Sequence, residues 1–123
     1  MNVDDARLLD RLSVAVQNLA ATPAAQIANL YALGMKDSAD ELALEFDDVY
    51  RVFQLRSVSI GIPPSIIENL TILDDLLQKM SGPLQAHQWT RKSLEDSVSW
   101  SAVRSIAGAA TSELNLWRGE KRT

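Results

Sequence analysis

The stretch DELALEFDDVY, residues 40–50, decides the fold class of this chain. Its apolar residues Leu42, Phe46 and Val49, continued by Phe53, recur at intervals of four, three and four residues, which is the spacing of one face of an α-helix. The five carboxylates of the stretch must then occupy the remaining surface of that helix. A dense acidic helix face is typical either of simple solvation or of a surface that docks something basic.

The same periodicity predicts further helices on both sides of this stretch. The predicted helices span residues 4–20, 23–33, 38–56, 64–80 and 98–117, with one short helical turn at 91–95. The last helix has the clearest pattern. Its regularly spaced apolar residues are Trp100, Val103, Ala107, Ala110, Leu114 and Trp117. No segment keeps the two-residue period of a strand. The chain is therefore predicted to be a single all-α domain, residues 1–123, built as a compact bundle of about five helices.

Two local signals define the ends of the third helix. Ser38 and Glu41 have the spacing of a capping box, which predicts that this helix begins at Ser38. Gly61 and the pair Pro63-Pro64 cannot continue a helix, so residues 57–64 are predicted to interrupt it. Within that interruption, the Val-Ser-Ile sequence at residues 58–60 is compatible with a short extended piece.

Composition narrows the classes of function. The formal net charge is −4, whereas direct nucleic-acid binding normally requires a basic stripe. The absence of cysteine excludes disulfides and thiolate metal sites and fits a reducing compartment. No apolar run approaches the roughly 18 residues that span a bilayer, and the N-terminus lacks the features of a secretory signal. We therefore expect a cytoplasmic protein that binds neither nucleic acid nor membrane.

No set of residues predicts catalysis. The single histidine, His87, lies in a predicted loop without an acidic neighbour, and no glycine-rich phosphate loop is present. Glu45-x-x-Asp48 matches half of the paired carboxylate motifs with which helical nucleotide pyrophosphohydrolases hold magnesium. The other half is missing, and the spacing of Asp74-Asp75 does not supply it. We predict no enzyme activity, catalytic residue, metal or cofactor, and retain a magnesium-dependent all-α nucleotide pyrophosphohydrolase-like enzyme as the alternative.

Apolar residues that lie off the buried stripes indicate a protein interface. Leu44 and Leu55 of the third helix project outward beside Asp48, and Ile72 of the fourth helix lies near Asp75. Apolar side chains ringed by acids are typical of a partner surface, unless another helix of the bundle covers them. The predicted partner-binding residues are Glu41, Leu44, Glu45, Asp48, Leu55, Glu68, Ile72 and Asp75. A self-associating helical adaptor is a further interpretation of the same pattern.

Several phrases of the sequence resemble a known group of proteins. They are Leu33-Gly34, DELALEFDD at 40–48, a Leu-Asp-x-Leu-Leu…Met-Ser-Gly phrase at 73–82 and a Trp-Thr…Leu…Trp…Val-Arg phrase at 89–104. Over residues 19–107, roughly three quarters of the chain, the sequence resembles small helical immunity proteins of bacterial polymorphic toxin systems.

The resemblance implies a compact, catalytically inert protein that binds and neutralises a cognate toxin domain. It supplies no catalytic residues for this chain. If the toxin is a nuclease, its active site must be basic to hold phosphates, and an acidic helical surface would block it by matching that charge. The resemblance therefore agrees with the acidic and apolar surface predicted from the residues themselves.

Overall fold

The computed structural model describes residues 1–35 and 38–122, without the side chains of residues 121 and 122. Its helices are α1 (Val3–Ala20), α2 (Pro23–Ala32), α3 (Asp40–Ile60), α4 (Pro64–Lys79), a 3-10 helix (Pro83–Trp89), α5 (Arg91–Asp96) and α6 (Val98–Arg122). These described ranges contain no strand. The predicted all-α bundle is therefore confirmed, and the segment predicted as a loop through His87 is a 3-10 helix.

Helix α1 lies at the centre of the bundle. It packs against α3 on one side and α6 on the other, and α4 packs against α6. The predicted stripe of α3 is buried at Leu42, Phe46, Val49 and Phe53. Burying one such side chain contributes about 1.5–3 kcal/mol, so these stripes fix the rotation of each helix. Helices α3 and α4 follow each other in the chain yet pack on different partners, and little direct packing joins them.

The C-terminal end of α3 differs from the prediction. The helix continues through residues 57–60 instead of breaking there, and no extended piece forms. Ser57 is buried and Ile60 packs against the core, so tertiary burial outweighs the low helix propensity of β-branched residues. Gly61 ends the helix in the left-handed conformation with φ 82°, which glycine adopts without a steric penalty.

The N-terminal end of α3 also differs from the prediction. No side chain caps this helix, and the capping box of Ser38 and Glu41 does not form. Instead, the backbone N–H of the buried Ala39 donates to the carbonyl oxygen of Trp89 at 3.1 Å. A contact with the distant 3-10 helix therefore sets where α3 begins.

A buried polar network joins four helices at one end of the bundle. Gln26 of α2 is 1% exposed, and its Nε2 donates to the carbonyl oxygens of Asn18 and Leu19, both at 3.1 Å. Arg104 of α6 donates from Nη1 to Gln26 Oε1 at 3.1 Å and to the carbonyl oxygen of Leu94 in α5 at 2.9 Å. The network therefore satisfies carbonyl groups at the C-terminus of α1 and in α5.

Candidate partner-binding cleft

A cleft of about 670 Å³ opens between α3 and α4, where the two helices pack little against each other. Residues near the N-terminus of α3 form one wall, and residues near the C-terminus of α4 form the other. The segment around the 3-10 helix closes one end. The described lining residues are Ser38, Asp40, Ala43, Leu44, Phe46, Asp47, Asp74, Leu77, Gln78, Ser81, Gly82, Ala86, Trp89 and Thr90. The volume falls in the range typical of ligand-binding clefts.

The apolar part of the cleft comes from the two helices and from Trp89. Phe46 and Leu77 are core residues whose edges reach the cleft. Trp89 is only partly buried. Its indole Nε1–H donates to the carbonyl oxygen of Met80 at 2.8 Å, and its ring meets Trp100 edge-on with centroids 5.6 Å apart. Trp89 is therefore held in place while one part of it contributes to the cleft, unlike the fully buried Trp100.

The charged residues that line the cleft are all acidic among those described. Asp40 and Asp47 lie on α3, and Asp74 lies on α4 opposite them. No lysine, arginine or histidine is among the described lining residues. A concave surface with carboxylates of one sign concentrates a negative potential, which attracts cationic groups.

Arg51 bridges the two walls at the rim of the cleft. Its Nη2 lies 2.8 Å from Asp47 Oδ1 and 3.3 Å from Asp74 Oδ1, and its Nε donates to Asp47 Oδ1 at 3.0 Å. The hydrogen bond that Arg51 donates to Asp47, followed by the charge of Asp74, raises the pKa of the Arg51 guanidinium. Tyr50 and Thr71 add a hydroxyl–hydroxyl contact of 3.4 Å along the same seam.

The predicted acidic residues of α3, Glu41, Glu45 and Asp48, do not line this cleft. Glu45 accepts a hydrogen bond from Asn18 Nδ2 of α1 at 3.4 Å and lines a smaller groove of about 260 Å³ between α1 and α3. Glu41 and Asp48 share one stripe of α3 with Glu45 because they lie four residues before and three residues after it. Of the predicted residues on α3, only Leu44 lines the cleft.

The predicted apolar residues of α3 are exposed, and no described helix covers them. Leu44 is 51% exposed and Leu55 is 87% exposed. They lie eleven residues apart on one face, so Leu55 is about three turns along the helix from the cleft. Leu55 therefore lies on the same face of α3 as Leu44, with the charged Asp48 and Arg51 between them.

The predicted residues of α4 lie on its outer surface. Glu68, Ile72 and Asp75 are all exposed, whereas the neighbouring Asp74 faces α3 and Arg51. Seven of the eight predicted residues therefore lie outside the lining of this cleft, and the prediction that they bind a partner stays a prediction. The cleft is lined instead by residues that the sequence did not single out for partner binding, among them Asp40, Asp47, Asp74 and Trp89. Asp47 and Asp74 each lie one position from a predicted acid, and one position turns a side chain by about 100° around a helix.

The geometry offers little to the alternative of a magnesium-dependent enzyme. That interpretation requires a second carboxylate pair opposite Glu45 and Asp48. In the described part of the chain, no group of three or more His, Cys, Asp or Glu side chains is placed to hold a metal ion. His87 is exposed on the 3-10 helix.

Comparisons with known proteins identified no relative of this chain. No protein-family model matches this chain, and the searches of curated proteins and of solved structures gave no significant match. The residues that the structure describes include no helix long and apolar enough to cross a membrane.

Proposed function

We propose that this protein is a non-catalytic binding protein that captures a basic partner protein in the α3–α4 cleft. The observation that carries the proposal is the cleft itself. It has an apolar floor whose accessible surface includes Leu44 and Trp89, with Phe46 and Leu77 buried behind it, and its charged lining residues, among those described, are all aspartates. Such a site combines apolar contact for affinity with a negative field that accelerates encounter with a cationic protein.

The exposed apolar residues enlarge this surface. Leu44 lines the cleft and Leu55 lies on the same face of α3, beyond Asp48 and Arg51, so a bound partner can cover both. A stable protein interface buries about 800 Å² on each side, which is more than the cleft alone provides. This mixed apolar and charged face of α3 is the most direct way to extend the contact.

We further propose that the partner is a cognate toxin domain, neutralised in the cytoplasm of the cell that makes both proteins. This finer statement rests on the resemblance of residues 19–107 to small helical immunity proteins. A toxin that acts on nucleic acid needs a basic active site, and the acidic cleft is complementary in sign to such a site. In that case, binding of this protein would also keep the nucleic-acid substrate out of the active site of the toxin.

Affinity capture with matched bait proteins tests this proposal. The chain offers two pairs of adjacent aspartates in which one member lines the cleft and the other does not, Asp47 with Asp48 and Asp74 with Asp75. Wild type, Asp74→Lys and Asp75→Lys are used as baits in lysate of the host, with rising salt. We expect wild type and Asp75→Lys to retain a basic protein that salt releases, and Asp74→Lys to lose it.

The captured protein is then expressed alone in a bacterial host. We expect it to arrest growth, and we expect growth to return when it is expressed together with wild type but not with Asp74→Lys. Equal capture by both variants would place the interface elsewhere. If the captured protein is not toxic, this chain is still a binding protein, but the proposal that its partner is a toxin is contradicted.

A further inference from the structure

We propose that Asp47 and Asp74 form the cation subsite of the cleft, and that an arginine of the partner replaces Arg51 there. Arg51 then acts as an internal occupant that keeps the subsite filled in the free protein. This inference rests on the proposed function, because it names the group that the cleft receives. The ligand is an arginine side chain with apolar neighbours in its own chain.

The structure already holds a guanidinium at this place. Arg51 reaches Asp47 from its own helix and Asp74 from the opposite wall, so one guanidinium spans both carboxylates. The contacts of Arg51 use Oδ1 of each aspartate. Neither Oδ2 atom accepts a hydrogen bond from a described donor, and each therefore has lone pairs available for another group.

The two aspartates differ in exposure, and this explains why the subsite favours a cation. The side chain of Asp74 is 15% exposed, and Arg51 is the only described side chain that pairs with it. A carboxylate withdrawn from water in this way is stabilised by a positive partner. If Arg51 leaves, another cation must replace it or the loss of solvation at Asp74 stays uncompensated.

The contacts of Arg51 are open to solvent. Its side chain is 48% exposed, and its further contacts are a 3.3 Å hydrogen bond to Gln54 and a position 5.8 Å above the ring of Tyr50. Exposed ion pairs contribute little to stability because water and salt screen them and the long side chain loses freedom. A partner arginine that also buries apolar neighbours against the floor of the cleft therefore has an advantage over Arg51.

Arginine fits the subsite better than lysine. Two carboxylates on opposite walls match a planar guanidinium, which donates hydrogen bonds in several fixed directions at once. The aliphatic part of the incoming side chain can lie against the accessible apolar lining of the cleft, behind which Phe46 and Leu77 are buried. The apolar neighbours of that arginine would then contact Leu44 and Trp89.

The test uses a defined peptide instead of the unidentified partner. The probe is the N-acetylated, C-amidated peptide Leu-Arg-Leu-Arg-Leu, and its control carries citrulline, the neutral isostere, at both arginine positions. Binding is followed by two-dimensional NMR of the whole protein, where the indole N–H of Trp89 reports from the cleft. We expect the arginine peptide to shift resonances of Trp89, Asp47 and Asp74, and the citrulline peptide to shift none of them.

Three variants separate the inference from the proposed function. Asp74→Asn should weaken binding of the arginine peptide about tenfold, whereas the matched Asp75→Asn should leave the affinity within about twofold. Arg51→Gln removes the internal occupant and should strengthen binding about threefold or more, because the peptide no longer competes with it. Arg51→Lys keeps the positive charge but loses the planar, several-donor guanidinium, so its affinity for the arginine peptide should fall between those of wild type and Arg51→Gln. Thermal unfolding of each variant verifies that it is folded.

The outcomes are distinguishable. Binding in the cleft that Asp74→Asn weakens but Arg51→Gln leaves unchanged or weakens would overturn the role of Arg51 and leave the cleft as the binding site. Shifts that avoid the cleft, or equal binding of the arginine and citrulline peptides, would contradict the proposed function as well. Tighter binding of a peptide with lysine at both arginine positions than of the arginine peptide would overturn the assigned chemistry of the ligand.

Discussion

Two arginines tie helices together in this protein, and their surroundings are opposite. Arg104 is partly buried, and its described partners are neutral groups of Gln26 and Leu94. Arg51 is exposed and lies between the carboxylates of Asp47 and Asp74. Burial lowers the pKa of the Arg104 guanidinium, whereas the hydrogen bond donated to Asp47 raises the pKa of the Arg51 guanidinium. Both side chains stay charged at neutral pH, because neither shift moves an arginine near that range.

The difference separates a structural junction from an exchangeable one. At Arg104, removal of the side chain leaves buried acceptors without a donor, so the contact cannot be exchanged without cost. At Arg51, water reaches the guanidinium and both aspartates can accept a cation from elsewhere. The region around Arg104 therefore belongs to the framework, and the region around Arg51 belongs to the surface that we propose binds a partner.

The largest effect on stability is expected from Gln26→Ala. This change removes the amide that donates to the carbonyl oxygens of Asn18 and Leu19, and it also removes an acceptor of Arg104. Buried groups left without partners cost about 1–3 kcal/mol each, so we expect a loss of about 2–4 kcal/mol in the free energy of unfolding. Urea denaturation measures it. A loss below about 1 kcal/mol would contradict the assignment of this junction to the framework.

Arg104→Met should have the next largest effect. Methionine keeps much of the aliphatic volume but leaves Gln26 Oε1 and the carbonyl oxygen of Leu94 without this donor. We expect a loss of about 1–3 kcal/mol in the free energy of unfolding, measured in the same way. If the variant is as stable as wild type, water must replace the donor and the junction is exchangeable as well.

Arg51→Gln is expected to cost much less than either of these changes. The ion pair of Arg51 with Asp47 is solvent-exposed, and such pairs contribute about 0–1 kcal/mol. Because Asp74 is only 15% exposed and also loses its cationic partner, we expect a loss near the upper end of that range. Wild type should lose this small contribution in high salt, whereas the Arg51→Gln variant should respond less to salt. The measurement is urea denaturation at low and high salt. A loss of unfolding free energy comparable to that of Arg104→Met would contradict the distinction between a structural and an exchangeable junction.

Tyr50→Phe should have the smallest effect. It deletes the hydroxyl that contacts Thr71 Oγ1 at 3.4 Å and leaves the aromatic stacking of Tyr50 with Phe46 and Phe53 intact. We expect less than about 1 kcal/mol, because Thr71 still donates to the carbonyl oxygen of Ile67 at 2.9 Å. Thermal unfolding measures the change. A large loss would indicate that this hydroxyl contact holds α3 and α4 together.

Much of the fold follows from the sequence, whereas most of the cleft does not. The predicted stripes of α3 and α6 are buried, and Leu44 and Leu55 are exposed as predicted. The acids of the predicted partner surface, however, are not the acids that line the cleft. Helical spacing tells which residues share a face, but it does not tell which neighbouring helix that face meets. The packing of α3 on α1 and of α4 on α6 decides this.

The sequence by itself determined the all-α class, the buried faces of α3 and α6 and the acidic character of α3. These features depend on local periodicity and composition, which act within a few turns of one helix. The tertiary structure alone decided that Asp47 and Asp74 face each other, that Trp89 borders a cleft and that Arg51 spans it. Each of these depends on the relative placement of segments far apart in the chain, which is set by burial of the common core.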